Sequence, residues 1–125
     1  MKRSTGMRLA VLLAVGALAI QNAGAGAAVA HGSNGYLVAS VGQPVNVVKQ
    51  RAIEICRRKG GVNVRIIAAT DVFGYGAIAV AAKGTGSVIG VALGKRSPTE
   101  ADAIAVDQCL KAGGSAPKII RAWKG

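Results

Sequence analysis

The chain has 125 residues, with 16 Lys and Arg against 5 Asp and Glu, a formal net charge of +11. This length allows one small domain, and a hydrophobic share of 51% argues against intrinsic disorder. With one His, two Cys, five carboxylates and 3% aromatic residues, the chain has few side chains for catalysis and little material for a large aromatic pocket.

The N-terminal segment has the pattern of a secretory signal peptide. Its basic residues are Lys2, Arg3 and Arg8, and no acidic residue accompanies them. An apolar run over residues 9–20 follows, which is the length of a signal core and too short to span a bilayer. Three small-x-small motifs come next, ending at Ala25, Ala27 and Ala30. We therefore expect a cleavable signal peptide over residues 1–27, with a boundary between 25 and 30, rather than an uncleaved anchor.

The rest of the chain repeats itself at an offset of 53 residues. The matched positions are Val38-Ala39 with Val91-Ala92, Ala52 with Ala105, Cys56 with Cys109, Gly60-Gly61 with Gly113-Gly114, and Ile66-Ile67 with Ile119-Ile120. Agreement of two Cys, two Gly pairs and an Ile pair in one register indicates a duplication. We expect a single small domain over residues 28–125, made of two repeats over 28–72 and 73–125.

Each repeat predicts the same order of elements. Two apolar runs separated by a glycine-rich turn predict a hairpin, a helical segment follows, and a third apolar run closes the repeat. In the second repeat the sequence Ser97-Pro-Thr-Glu100 is a capping box, and Gly113-Gly114 ends the helix. The predicted fold class is therefore α+β. It consists of two pseudo-symmetric β-β-α-β units that share one antiparallel sheet, with two helices packed on it.

The two predicted helices are amphipathic, and Cys56 and Cys109 lie on their apolar sides. On the polar sides, Glu54 with Arg58 and Asp107 with Lys111 are acid-first i,i+4 pairs, which stabilise helices. Three alternatives remain open for the cysteines, namely a disulfide between them, two free thiols, and a link to another molecule. A disulfide between Cys56 and Cys109 would close a long loop in a small exported domain, whereas two buried free thiols would need no bridge.

The second repeat resembles the bacterial family called domain of unknown function 4189. The resemblance rests on the strand Gly76-Ala-Ile-Ala-Val80, the turn Gly84-Thr-Gly86, Gly90, the helix start at Ser97, and Ala105 leading to Cys109. It is strongest over residues 75–123. It implies a small exported protein and supplies no activity or functional residues to transfer. The further cysteines common in that family are absent here, so the disulfide within one unit that the family suggests cannot form.

Charge supplies the functional prediction. The first helix has a candidate basic binding face made of Lys49, Arg51, Arg57, Arg58 and Lys59. We expect an exported, non-catalytic binding module of the envelope or extracellular space. Its expected partners are an anionic envelope polymer, lipid head groups or an acidic protein. Nucleic acid is disfavoured, because export and the lack of stacking aromatics both argue against it.

Two other functions are compatible with the sequence. One is an inhibitor or immunity-type protein that blocks a partner protein. The other is a small hydrolase that uses Asp71 or His31. No catalytic motif supports the hydrolase, since the chain has neither a nucleophile elbow nor a pair of carboxylates outside the helix faces. We expect no cofactor and no metal site, because two Cys and one His fall short of a closed ligand set.

Overall fold

A computed structural model of the chain describes residues 26–125. Except for its last two positions, the predicted signal peptide lies outside these described residues. The elements are β1 (Gly26–His31), β2 (Leu37–Gln43), α1 (Val45–Arg58), β3 (Arg65–Thr70), β4 (Tyr75–Lys83), β5 (Gly86–Lys95), α2 (Pro98–Lys111) and β6 (Ser115–Lys124). The α+β class and the twofold β-β-α-β order are therefore confirmed. In the described part, neither helix is long and apolar enough to cross a membrane.

The strands form two separate antiparallel sheets, which corrects the prediction of one shared sheet. Their strand orders are β2-β1-β3 and β5-β4-β6. In each sheet the third strand returns from the helix and pairs with the free side of the first strand, so the first strand is central. Its two edges are filled within the same repeat, and no strand from the other repeat is needed. The chain divides into two compact units between Asp71 and Val72. We call residues 26–71 unit 1 and residues 72–125 unit 2.

The core of each unit lies between its helix and one face of its sheet. In unit 1 the buried core residues are Ala30, Val38, Ala52 and Cys56. In unit 2 they are Ala77, Ala79, Ala81, Ala92, Ala101, Ala105 and Cys109. Alanine predominates because small side chains allow a helix backbone to come close to a sheet. Both cysteines face inward, as the helical pattern predicts.

The central strands are apolar on both faces. In β4 the alternate residues Ala77 and Ala79 face α2, so the side chain of Ile78 between them points to the opposite face. Ile78 is nevertheless buried, and so is Val29 in β1. Because residues 26–30 of β1 and 76–82 of β4 are all apolar, these sequences do not show the alternation that would fix which residues face the helix.

Hairpin lengths break the constant offset between the repeats. Val29 pairs with Ala39 in unit 1, and Ile78 pairs with Val91 in unit 2. These two central residues are equivalent because their partners on the third strands, Ala68 and Arg121, are 53 positions apart. The counterpart of Val91 is therefore Ala39. The predicted match of Val38 with Val91 is wrong by one residue, because Val91 lies 18 positions before Cys109 whereas Ala39 lies 17 before Cys56, so unit 2 has one more residue between its second strand and the helix cysteine. The hairpin of unit 2, which closes through a tight turn at Gly84 and Thr85, is longer by three residues and shifts the first strands instead.

The helices begin in different ways. In unit 2, the Ser97 hydroxyl accepts a hydrogen bond from the Glu100 N–H at 3.1 Å, and the Glu100 carboxylate accepts one from the Arg96 N–H at 3.0 Å. The capping box is thus present. Its Glu100 carboxylate, however, accepts from the N–H of Arg96, the residue before the cap, and not from the N–H of Ser97 itself. In unit 1, α1 begins after Pro44, which has no side-chain acceptor and makes no side-chain cap.

Candidate anion-binding surface

Four basic residues lie exposed between the middle of α1 and the residue just after it. We call Arg51, Arg57, Arg58 and Lys59 the basic cluster. Arg51 and Arg58 are seven positions apart, so they lie on nearly the same line along the helix, whereas Lys49 lies about 180° from Arg58 around the axis. Lys49 is also half-buried. Arg57 lies about 100° from Arg58 around the axis, and Lys59 follows the helix. Four of the five predicted residues are thus exposed, and Lys49 is the half-buried one.

No acidic side chain of residues 26–125 forms an ion pair with the basic cluster, although the exposed Glu54 is three residues from Arg51 and Arg57 and four from Arg58 on the same helix. Among residues 26–125 the one ion pair joins Lys111 Nζ to Asp107 Oδ2 at 3.1 Å. The predicted pair of Glu54 with Arg58 does not form. Because Arg57 and Arg58 occupy the last turn of α1, the helix dipole favours their positive charge, an effect of about 0.3–1 kcal/mol for a cation at a helix C-terminus. The charges are thus compatible with folding and remain available to an external anion.

A hydrogen-bonded clamp fixes the loop that carries the end of the cluster. The Asn34 side chain donates to the Gly60 carbonyl at 2.9 Å and accepts from the Val62 N–H at 3.0 Å. The Ser33 N–H donates to the Val62 carbonyl at 2.7 Å. These bonds tie the first hairpin turn to the segment after Lys59. Sequence analysis missed this role because Asn34 reads as an ordinary turn residue and its partners are 26 and 28 positions away.

The residues of the hydrolase alternative do not share a site. His31 is the last residue of β1 and pairs with Arg65, whereas Asp71 follows Thr70, which pairs with Ala27 at the other end of that strand. About 13 Å of strand separates these two ends, at roughly 3.3 Å per residue. Within residues 26–125, no group of three His, Cys, Asp or Glu side chains is placed to hold a metal ion.

Both cysteines are free, buried thiols, so the structure contains no Cys56–Cys109 disulfide. The Cys109 thiol donates to the Ala79 carbonyl at 3.4 Å, and the Cys56 thiol approaches the Tyr36 carbonyl at 3.9 Å. Burial raises the pKa of the Cys109 thiol, and a backbone hydrogen bond from Gly90 opposes that shift. The Cys109 thiol is therefore a core side chain rather than a nucleophile.

Positive charge in unit 2 has a different location. The two units have the same net charge of +4, from six basic and two acidic residues in unit 1 and seven and three in unit 2. In unit 2, however, α2 is acidic, and most of the basic residues lie on strands and turns. Lys124 lies with its Nζ 5.9 Å from the ring centre of Phe73 and 5.5 Å from that of Tyr75, a pair of cation–π contacts that sequence analysis did not predict.

The fold and the surface together define a small duplicated α+β protein whose first unit has an unpaired cationic cluster. The chain matches the family described as "Domain of unknown function (DUF4189)" over residues 15–124. The protein belongs to this family, as the resemblance of its second repeat predicts. No curated protein and no solved structure matches the chain.

Proposed function

We propose that the protein is an exported, non-catalytic binding module that uses the basic cluster to bind phosphate-bearing anions of the cell envelope. The observation that supports this proposal most directly is that four exposed basic residues lie between positions 51 and 59 and form no ion pair with any residue of the part that the structure describes. The signal-peptide pattern supports export. A non-catalytic role is supported by the separation of His31 and Asp71, the two candidate catalytic residues, which lie near opposite ends of β1.

Arginine chemistry favours phosphate as the group recognised. A guanidinium presents several N–H donors in a planar fork that matches the oxygens of a phosphate, and its charge persists at every physiological pH. Three of the four residues of the basic cluster are arginines. Phospholipid head groups and phosphodiester polymers of the envelope share this chemistry, so both are included in the test.

The experiment compares two charge-matched variants of the signal-free protein. In the first, Arg57→Gln and Arg58→Gln remove two charges from the basic cluster. In the second, Lys118→Gln and Arg121→Gln remove two exposed charges from β6. Binding is measured by co-sedimentation with vesicles of phosphatidylglycerol and phosphatidylcholine, and in parallel on a phosphodiester polymer such as teichoic acid. Since each basic residue near an anionic surface contributes about 1 kcal/mol, the first variant should bind about 30-fold more weakly.

The β6 variant should retain most of its binding, and binding of the unaltered protein should weaken as salt rises. Binding to one material alone would identify the source of the phosphate. Equal losses in the two variants would show a dependence on net charge alone and would contradict a dedicated surface. Unchanged binding after the α1 substitutions, or binding only to an acidic protein, would also overturn the proposal. Circular dichroism of both variants checks that the helices are intact.

A further inference from the structure

The position of β1 distinguishes among the three predicted cleavage motifs. We propose that signal peptidase cleaves the chain between Ala25 and Gly26. In this step water adds across the peptide bond, which leaves a carboxylate on Ala25 and a new amino group on Gly26. The inference rests on the proposed export of the protein and adds to it the first residue of the mature chain.

Strand β1 is the central strand of its sheet, and its residues are needed for the fold of unit 1. Ala27 is the first residue that pairs on both sides, with Val41 of β2 and Thr70 of β3. Gly26 pairs on one side only, with Gln43, and a register shift follows it. Residues 27–30 are each no more than 1% exposed. The stretch of β1 that pairs with both neighbouring strands therefore begins at Ala27.

The two later motifs would remove part of this strand. Cleavage after Ala30 would delete Val29 and its neighbours, and β2 and β3 would lose the strand that joins them. Cleavage after Ala27 would delete Ala27 and with it the first pairs that β1 makes with both of its neighbours, Val41 of β2 and Thr70 of β3.

Cleavage after Ala25 preserves every residue paired on both sides. It places the new amino group on Gly26, which is buried but is the end residue of the strand and pairs on one side only. The first residue of the mature chain would then be Gly26, which is closely packed against neighbouring backbone atoms. A Cβ on Gly26 would lie 2.6 Å from the Gln43 carbonyl oxygen and 2.7 Å from the Val45 nitrogen. Backbone atoms at the start of α1 thus lie close to Gly26. With cleavage after Ala25, Gly26 is the N-terminal residue of the mature chain.

The first test expresses the full chain with a C-terminal tag in a bacterial host and determines the intact mass and N-terminal sequence of the exported protein. The expected result is a chain that begins at Gly26. A chain that begins at Ala28, at His31 or at any other residue overturns the proposed site while export stands. Full-length protein retained in the cells, with no processed form, overturns the proposed export and the cleavage site with it.

Two further variants locate the signal that the peptidase reads. Ala23→Asp places a charge at the third position before the proposed cut, where a small residue is required, whereas Asn22→Asp places the same charge one residue earlier. We expect loss of the Gly26 product in the first and normal processing in the second. Both changes lie in the segment that is removed, so neither alters the mature fold. Persistence of the Gly26 product in the Ala23→Asp variant would contradict the proposal.

The structural reason for the choice is tested on chains made without a signal. Chains that begin at Gly26 and at His31 are compared by thermal unfolding. The Gly26 chain should unfold cooperatively, and the His31 chain should lose that transition because it lacks the residues of β1 that pair with both neighbours. If the His31 chain is equally stable, the sheet does not need residues 26–30, and the structural argument against the later cleavage sites is wrong.

Discussion

Units 1 and 2 are built on one plan but place their charges and their closest contacts differently. Each has a helix with a buried cysteine, a three-stranded sheet and a glycine pair after the helix. Unit 1 concentrates its positive charge on and just after α1, whereas unit 2 has an acidic helix and basic strands. Because the net charges of the units are equal, the feature that separates them is where the charges lie, and this is why the proposed binding surface belongs to α1.

The packing of helix on sheet also differs between the units. Val38 faces α1 from β2, and its counterpart in β5 is Gly90, because Val38 pairs with Ala30 and Gly90 with Ala79 at equivalent positions. A Cβ on Gly90 would lie only 2.0 Å from the Ala105 carbonyl oxygen. Unit 2 therefore brings its helix backbone against the edge strand, at a position where unit 1 accommodates a valine side chain.

The largest predicted effect follows from this contact. Gly90→Ala should lower the free energy of unfolding by about 3 kcal/mol, since the neighbouring atoms are helix backbone and cannot move aside cheaply. Urea unfolding followed by circular dichroism measures the change. Gly86→Ala is the matched control, because its nearest neighbour would be 3.8 Å away. Similar stability of both variants would contradict the close approach of α2 to β5.

The comparison of the units also shows what could be predicted from sequence. The duplication, the element order and the inward cysteines follow from glycine pairs and helical periodicity, which are local signals. The hairpin register could not be predicted, because residues 26–30 of β1 and 76–82 of β4 are all apolar and the match of Val38 with Val91 agrees in residue type by chance. Separate sheets could not be distinguished from a shared one, since pairing is made by backbone groups that every strand has.

The candidate surface was predictable to a similar extent. Composition and helix position identified the basic residues, but the exclusion of Lys49 depends on which side of α1 faces the sheet. The clamp by Asn34 depends on contacts between the first hairpin turn and the segment after α1, which no local pattern contains. Similarly, the free state of the cysteines is a property of the folded units and not of their spacing in the chain.

The second predicted effect concerns pH and the buried thiol of unit 2. Burial raises the pKa of Cys109 above its ordinary value of 9.0, so the folded state holds the thiol proton more tightly than the unfolded state. The resulting stabilisation is complete below the unfolded pKa and is lost as pH rises through the folded pKa, by at most about 1.4 kcal/mol per pH unit. Unfolding free energies of the protein and of a Cys109→Ala variant, measured on both sides of this value, should differ less at the higher pH. A constant difference would contradict the prediction.

A smaller effect distinguishes the capped helix from the uncapped one. Ser97→Ala removes the acceptor of the Glu100 N–H and should lower the free energy of unfolding by about 1 kcal/mol. Ser97→Asp is the control, since its carboxylate can accept the same bond and is favoured at a helix N-terminus. Thermal unfolding of the three proteins should rank the Ala variant lowest. Equal values for the Ala and Asp variants would show that the hydrogen bond contributes nothing measurable.

The smallest predicted effect separates two pairs that sequence alone treats as equivalent. Asp107 and Lys111 form an exposed ion pair in α2, whereas Glu54 and Arg58, at the same spacing in α1, do not. Double-mutant cycles with Ala should therefore give a coupling energy of about 0.2–0.5 kcal/mol in unit 2 and about zero in unit 1. Because Arg58 belongs to the basic cluster, a measurable coupling with Glu54 would mean that one of its charges is already neutralised in part. That result would weaken the proposed surface at its centre, whereas zero coupling leaves all four cations available to an external anion.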